Sequence, residues 1–159
     1  MVFSQVISLV LALIIAFFSV SPSAEALDYT KRDLAEVDFS GQNLTDATFN
    51  KTNLRSANLS QSDLQGVSFF GANMDSINLE GANLTNSILD SARLTRANLR
   101  NAVLEGAFAT NTKFEGANIE GADFTDVILR PDVEEMLCDK AKGVNPITGR
   151  KTRDTLYCP

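Results

Sequence analysis

Residues 77–104 read INLEGANLTNSILDSARLTRANLRNAVL, with a leucine at positions 79, 84, 89, 94, 99 and 104. The spacing continues in both directions, so that one apolar residue returns every five positions from residue 34 to residue 129. A helix repeats every 3.6 residues and a strand every 2.0, so neither keeps these side chains on one side. A fixed period of five instead predicts a solenoid, whose units bury their apolar residues by stacking on one another.

Each five-residue unit has a centre, and the two positions before it have preferences of their own. Nineteen of the twenty centres are large and apolar, and Ala109 is the exception. The residue two places before the centre is usually small, and the residue directly before it is Asn or Asp in twelve units. If each unit forms one side of a coil and then turns, four units close a square. Twenty units then make five coils, about 24 Å long at the spacing of hydrogen-bonded strands.

The glycines support turns at the corners of this square. Seven of the nine glycines lie two places after a centre. A type II turn needs a positive φ at that place, which glycine adopts at the least cost and Asn or Asp tolerates. We therefore expect a positive φ also at the Asn and Asp residues that occupy this place, namely Asp46, Asn86, Asn101, Asn111 and Asp126.

The repeats resemble a known family. The runs Ala57-Asn58-Leu59, Gly71-Ala72-Asn73-Met74 and Gly121-Ala122-Asp123-Phe124 resemble the A(D/N)LXX pattern of pentapeptide-repeat proteins. The resemblance covers about 97 of the 159 residues and implies an all-β solenoid, a right-handed quadrilateral β-helix of about five coils. The Asn or Asp before the centre is replaced by a different residue type at Ile88, Arg93, Val103, Phe108, Lys113 and Ile128.

Four segments are predicted along the chain. Residues 1–26 contain an apolar run and end in Ala-Glu-Ala, which predicts an export signal cleaved after Ala26, although residues 1–5 lack Lys and Arg. An uncleaved membrane anchor and a helix that caps the solenoid are the alternatives. Residues 27–32 are expected to form a light N-terminal cap, residues 33–131 the β-helix, and residues 132–159 a helical C-terminal cap.

The C-terminal cap is expected to begin with a helix. Asp132 is predicted to cap its N-terminus, and the helix is expected to run to Lys140 or Lys142, with lysines in the last turn as the helix dipole favours. Its apolar face would cover the last coil. A turn is predicted over residues 145–149, and Thr152 is expected to cap a last short helical turn.

The cap also contains both cysteines of the chain, Cys138 and Cys158. In an exported protein an even pair predicts a disulfide, and closing about 20 residues stabilises by roughly 3 kcal/mol. A redox-responsive dithiol that regulates the protein is the alternative. The tail around these cysteines is similar to that of lumenal pentapeptide-repeat proteins of cyanobacteria and chloroplasts. That resemblance implies the thylakoid lumen, with the periplasm as the other location.

The composition predicts no catalytic, cofactor or metal site. The chain has no histidine, which excludes Ser-His-Asp and Cys-His catalysis, and two thiols without histidine make a poor metal site. The net charge is −6 and no basic stripe is present, so nucleic acid is not an expected ligand. The arginines at 93, 96 and 100 are interpreted as a solvated cluster. A DNA-mimicking inhibitor of a topoisomerase is an alternative of another class, but it requires a cytoplasmic address.

One outward edge of the predicted solenoid is unexpectedly apolar. Ile88, Phe108 and Ile128 follow one another on the same side about 4.8 Å apart, with Val103 on the neighbouring side and Phe70 near the same edge. Two interpretations are open: the C-terminal cap folds over this edge, or the edge binds a partner protein or a second copy. The preferred function is a non-enzymatic exported scaffold for protein–protein contacts. We expect a monomer or weak homo-oligomer, free of the membrane once the signal is removed, with an unknown protein partner.

Overall fold

A computed structural model describes residues 26–159, and the predicted export signal lies outside the described residues except for Ala26. The named elements are short: β1 (Leu27–Asp28), β2 (Ala47–Thr48), α1 (Pro131–Cys138) and α2 (Thr152–Thr155). β1 and β2 pair in parallel, with Leu27 opposite Ala47. Single parallel bridges continue this pairing, and each joins a residue to the one twenty positions later. Twenty residues are four units of five, so the predicted quadrilateral β-helix is confirmed.

The four sides of the coil are named A to D, and each is defined by the bridged residues directly before its centres. Side A carries Asp28, Thr48, Ser68, Ile88, Phe108 and Ile128; side B carries Asp33, Asn53, Asn73, Arg93 and Lys113; side C carries Asp38, Asn58, Asn78, Asn98 and Asn118; side D carries Asn43, Asp63, Asn83, Val103 and Asp123.

The core consists of the stacked centres. Every centre from Phe49 to Phe124 is at most 1% exposed, including Ala109. The centres of the first side B and side C, Leu34 and Phe39, are half-buried, because among residues 26–159 no coil precedes them. Burying one large apolar side chain contributes about 1.5–3 kcal/mol before chain entropy is subtracted, so the stacked centres are the main hydrophobic core of the β-helix.

Asparagine ladders explain why the residue before the centre is so often Asn or Asp. On side C the Asn98 side-chain amide donates to Asn78 at 3.1 Å, and Asn78 donates to Asn58 at 3.0 Å. The Asn78 side-chain oxygen also accepts the backbone N–H of Glu80 at 3.2 Å, which holds the following turn. One side chain thus bonds to the coil before it and to its own turn, and an apolar residue at this place does neither.

The β-helix begins one unit earlier than expected. Tyr29 is a centre in phase with the others, and its ring stacks on Phe49 at 5.0 Å, as Phe49 stacks on Phe69 at 5.2 Å. Lys31, two places after Tyr29, has the positive φ of a corner residue, 59°. Residues 27–32 are therefore chiefly the first side A rather than a separate cap. The sequence signal was present, since Tyr29 lies five positions before Leu34.

Most corners have the predicted positive φ, but Asp46 and Asn111 do not. At Asn111 the reason is a pair of hydrogen bonds to the preceding coil. Its backbone N–H and its side-chain amide both donate to the Asp90 carboxylate, at 3.2 and 3.1 Å. The N–H therefore points to the preceding coil, whereas at other corners, such as Asn101, it donates to a carbonyl of the following coil.

The C-terminal cap differs from its prediction in both helices. α1 begins at Pro131 with Arg130 as its N-cap, and Asp132 instead pairs with the Arg130 guanidinium at 2.8 Å. Proline is favoured at the first helical position because its missing N–H has no partner there anyway. α1 ends at Cys138, so Lys140 and Lys142 lie beyond its last turn. Its apolar face does cover the last coil, and Leu137 is fully buried.

α2 also starts differently, and the disulfide is as predicted. Lys151 is the N-cap of α2, and Thr152 is its first residue and makes no capping bond. The sulfur atoms of Cys138 and Cys158 are 2.00 Å apart, with 5.6 Å between their Cα atoms. The disulfide ties the end of α1 to the residues that follow α2.

Candidate interaction surface

The apolar edge predicted on side A is present and faces outward. Ile88, Phe108 and Ile128, named here the apolar ladder, are bridged in sequence and are 39%, 47% and 48% exposed. Phe70 is 42% exposed at the corner between side A and side B. The position before the centre is occupied by polar residues in the first three coils of side A. The ladder is therefore confined to the C-terminal half of the rod.

Val103 does not belong to this surface. It was expected to lie outward beside Phe108, but it is only 7% exposed. The side-chain amide of Asn145 donates to the carbonyl of the adjacent Ala102 at 3.2 Å, and the Arg150 guanidinium reaches Glu105 at 2.6 Å. Both contacts come from the cap loop, residues 143–151, which lies over side D and buries Val103.

The position of the same loop contradicts the interpretation that the cap folds over the apolar ladder. Asn145 is fully buried, and its side-chain amide also donates to the Gly121 carbonyl at 2.9 Å. Its side-chain oxygen accepts the backbone N–H of Ile147 at 2.9 Å and of Thr148 at 3.0 Å, which closes the predicted turn. The cap is fixed on side D, and residues 26–159 leave the apolar ladder uncovered.

Arg150 holds the cap through a buried carboxylate. The side chain of Asp123 is 0% exposed, and Arg150 contacts it at 3.2 Å. Burial alone would raise the pKa of Asp123, but hydrogen bonds from Thr125 and Thr148 together with the Arg150 charge outweigh it, so this pKa lies below its ordinary value. Hydrogen bonding to Glu105 and the Asp123 charge raise the pKa of Arg150. The ion pair is therefore maintained at neutral pH.

The cap also satisfies backbone groups on the last coil. The Gly121 N–H donates to the Lys142 carbonyl at 2.9 Å, and the Phe124 N–H donates to the Thr155 hydroxyl at 3.0 Å. An uncovered coil edge is a template for pairing with another chain, and these bonds remove part of it. Sequence reasoning missed Asn145, Arg150 and Thr155 as the residues that fix the cap, because nothing in the repeat indicates where the loop returns.

A groove on side B brings together charges that are far apart in the sequence. It is open, has a volume of about 470 Å³, and its charged lining, named here the basic groove, consists of Arg55, Arg93, Arg96, Lys113, Asp75 and Glu115. Arg100 is not part of it, since its side chain points to Glu80 at 4.0 Å. The predicted cluster of the arginines at 93, 96 and 100 is therefore wrong for Arg100, whereas Arg93 and Arg96 do lie together. The twenty-residue register would have found the others, because Lys113 is one coil after Arg93.

Within residues 26–159, no group of three or more His, Cys, Asp or Glu side chains is placed to hold a metal ion. In the same part of the chain, neither helix has the length and apolar character needed to cross a bilayer.

Comparison with known proteins yields a family and structural relatives. The family model described as pentapeptide repeats matches residues 33–69, 62–101 and 92–130. The crystal structure of a pentapeptide repeat protein from the thylakoid lumen of Arabidopsis thaliana is 48% identical, with a TM-score of 0.79 over 80% of this chain and 89% of that one. A pentapeptide repeat protein from Nostoc is 24% identical with a TM-score of 0.58, over 75% of this chain and 94% of that one, and supports the fold alone.

A curated relative is similar over a shorter stretch. Thylakoid lumenal 15 kDa protein 1, chloroplastic, of Arabidopsis thaliana is 62% identical over 37 residues. The match spans 23% of this chain and 16% of that protein.

Proposed function

Because the chain belongs to the pentapeptide-repeat family, we propose that it is an exported, non-enzymatic scaffold of the thylakoid lumen that holds a partner protein against the apolar ladder. The observation that carries this proposal is the exposure of Ile88, Phe108 and Ile128 on one side of a rod whose other ladders are mainly polar. Three apolar side chains in a row facing water are costly unless something covers them.

The ladder by itself is too small to hold a stable dimer of this chain. With Phe70 it presents four large side chains, each about half exposed, which is of order 300–400 Å² of apolar surface. A stable interface of standard size needs about 800 Å² from each partner. The ladder therefore suits the apolar centre of a larger mixed surface.

The rigidity of the rod supports a scaffold role. The ladder lies on backbone that is hydrogen-bonded to the coils before and after it, for example Phe108 N–H to the Ser87 carbonyl at 2.9 Å. Below it the core centres are fully buried. A surface that is already ordered loses little conformational entropy on binding, so more of the contact energy appears as affinity.

Two observations support the absence of catalysis and the lumenal address. The chain contains no histidine, and pentapeptide-repeat proteins are generally structural or interaction proteins. The relative with 48% identity is a thylakoid lumen protein, and the predicted export signal agrees with such an address. Fractionation tests the location: the mature chain is expected in the lumen with an N-terminus near Leu27, and a full-length protein outside the lumen contradicts the proposal.

A photo-crosslinking experiment tests the ladder itself. A photoreactive phenylalanine replaces Phe108, and in a matched control it replaces Asn118, which is exposed on side C of the same coil. In isolated lumen we expect one discrete crosslinked protein from position 108 and none from 118, with the product lost when Ile88→Asp is added. Equal labelling from both positions, or a product with the mass of two copies of this chain, contradicts the proposal.

A further inference from the structure

We propose that the apolar ladder and the basic groove form one recognition surface, and that the partner presents an acidic segment that also carries apolar residues. This inference rests on the proposed function of the ladder and adds the chemical class of the partner.

The two features are adjacent around one corner of the rod. Phe70 is exposed at the corner between side A and side B. A shallow cleft of about 220 Å³, lined by Gly71, Ser91 and Arg93 among others, runs from this corner onto side B. The small residues at the corner leave the route open, because neither Gly71 nor Ser91 has a long side chain. A bound chain can therefore contact Phe70 and Arg93 together.

The groove carries cations that no carboxylate of the described chain neutralises. Arg96 pairs with Asp75 at 2.5 Å. Within residues 26–159, Arg55, Arg93 and Lys113 form no ion pair, and all three are exposed. The whole chain has a net charge of −6, so a local excess of positive charge stands out from the rest. Such a patch attracts negatively charged partners.

The one carboxylate at the corner between ladder and groove is already engaged. Asp90 accepts the backbone N–H and the side-chain amide of Asn111, at 3.2 and 3.1 Å, and the Ser91 hydroxyl at 3.1 Å. These bonds hold the Asp90 carboxylate along the corner and share its charge with three donors. It therefore competes little with an incoming carboxylate for Arg93.

The spread of the cations favours a peptide segment over a small anion. Arg93 and Lys113 occupy equivalent positions in consecutive coils of side B, about 4.8 Å apart. Arg55 lies two coils before Thr95, which also lines the groove, and is therefore about 10 Å away from it along the rod. Alternate side chains of an extended peptide are spaced by about 7 Å, so several carboxylates can meet several cations. A nucleic acid has a longer continuous line of negative charge, which would also face the acidic remainder of a chain with a net charge of −6, whereas a short peptide need only meet the groove.

The test measures binding of a labelled decapeptide with six glutamates and two leucines to the mature chain by fluorescence anisotropy. The groove variant is Arg93→Gln with Lys113→Gln. Its matched control is Arg100→Gln with Lys140→Gln, which removes the same charge from exposed positions outside the groove. We expect the groove variant to bind at least tenfold more weakly and the control to stay within twofold of the unmodified protein. Replacing the two leucines by serines should also weaken binding.

Three results overturn the inference: no binding of the acidic peptide by the unmodified chain, equal binding by the groove variant, or displacement by inorganic phosphate at constant ionic strength. The last result identifies a small-anion site instead. The Ile88→Asp variant, with the photoreactive residue kept at position 108, separates the two proposals. If Ile88→Asp abolishes crosslinking in the lumen while the groove variant crosslinks normally, the ladder holds the partner and only the inference that the partner is acidic is contradicted. If Ile88→Asp changes neither crosslinking nor peptide binding, the proposed function is contradicted as well.

Discussion

The side-chain amide of Asn145 donates to the backbone carbonyl of Gly121 at 2.9 Å, across 24 positions of sequence and between the cap and the last coil. The same amide reaches the Ala102 carbonyl at 3.2 Å, and the whole residue is buried. One side chain thus bonds two successive coils to the cap loop. Among the described residues, Asn145 is the one cap side chain that donates to backbone carbonyls of two different coils.

Replacing this residue should loosen the cap. Asn145→Ala leaves the Gly121 carbonyl without its donor and removes the acceptor of the turn, whereas the Ala102 carbonyl still accepts the Asp123 N–H. We therefore expect a loss of about 2–4 kcal/mol in cap stability. Hydrogen exchange of the Gly121 and Ile147 amides measures it. The control is Asn43→Ala, an exposed asparagine of the first coil that holds its own turn far from the cap, and it should leave both rates unchanged. Unchanged exchange in the Asn145 variant would show that the loop is held elsewhere.

Two glycines of the cap provide a matched test of its close approach to the coil. Gly143 and Gly149 both have a positive φ, 86° and 69°, so alanine is strained at either position by about 1 kcal/mol. A Cβ at Gly143 would also lie 2.8 Å from the Gly121 nitrogen, whereas one at Gly149 would meet nothing within 4 Å. We expect Gly143→Ala to lower the unfolding midpoint in urea clearly more than Gly149→Ala. Equal midpoints would contradict the packing of the loop on Gly121.

Two buried serines of the core should respond in opposite directions to alanine. The Ser87 hydroxyl is fully buried without a hydrogen-bond partner in the described chain, whereas the Ser62 hydroxyl donates to the Leu59 carbonyl at 2.6 Å. Ser87→Ala removes an unsatisfied polar atom and should be neutral or stabilising by up to about 1 kcal/mol. Ser62→Ala should cost about 1 kcal/mol. Chemical unfolding measures the free energy of unfolding of both variants. A clear decrease for Ser87→Ala would mean that the Ser87 hydroxyl has a hydrogen-bond partner.

The repeat could be predicted from sequence because its signal is local and recurs twenty times. The five-residue period decides which residues are buried, and it also placed Ile88, Phe108 and Ile128 together on the outside. The exposure of Val103 could not be predicted in this way, because its cover comes from Asn145, more than forty positions later. Nothing in the spacing says over which side of the rod the cap loop returns.

The basic groove is a second feature that neighbouring positions in the sequence do not reveal. Arg93 and Lys113 are adjacent only when the register of twenty is applied, and reading along the chain instead suggests a cluster with Arg100. The N-caps of α1 and α2 were also misplaced, because Asp132 and Thr152 are good capping residues by type. Pro131 begins α1 before Asp132 can act, and Thr152 lies one position too late to cap α2, because Lys151 is already its N-cap.

The disulfide should stabilise the cap without controlling the ladder. Cys138–Cys158 closes a loop of about 20 residues, so its removal should cost roughly 3 kcal/mol of cap stability. Side A is bonded to its own coils, and the cap loop remains attached to side D through Asn145. We therefore expect Cys138→Ser with Cys158→Ser to speed proteolysis in residues 139–157 while crosslinking from Phe108 persists. Loss of that crosslink on reduction would favour a redox-responsive regulator.

Acid should release the cap through Asp123. Burial opposes its charge, but hydrogen bonds from Thr125 and Thr148 and the Arg150 charge place its pKa in the folded chain below the ordinary value near 3.9. A carboxyl group with a lowered pKa contributes stability that is fully present above the unfolded value and is lost as pH falls through the folded value. The urea midpoint of the unmodified chain should therefore exceed that of Asp123→Asn at neutral pH. The two midpoints should converge as the pH falls through the lowered pKa of the folded state, below which the group is protonated in both states. Asp139→Asn, at an exposed position of the cap, serves as the control and should track the unmodified chain throughout. A constant gap between the unmodified chain and Asp123→Asn at every pH would mean that Asp123 acts through packing and not through its charge.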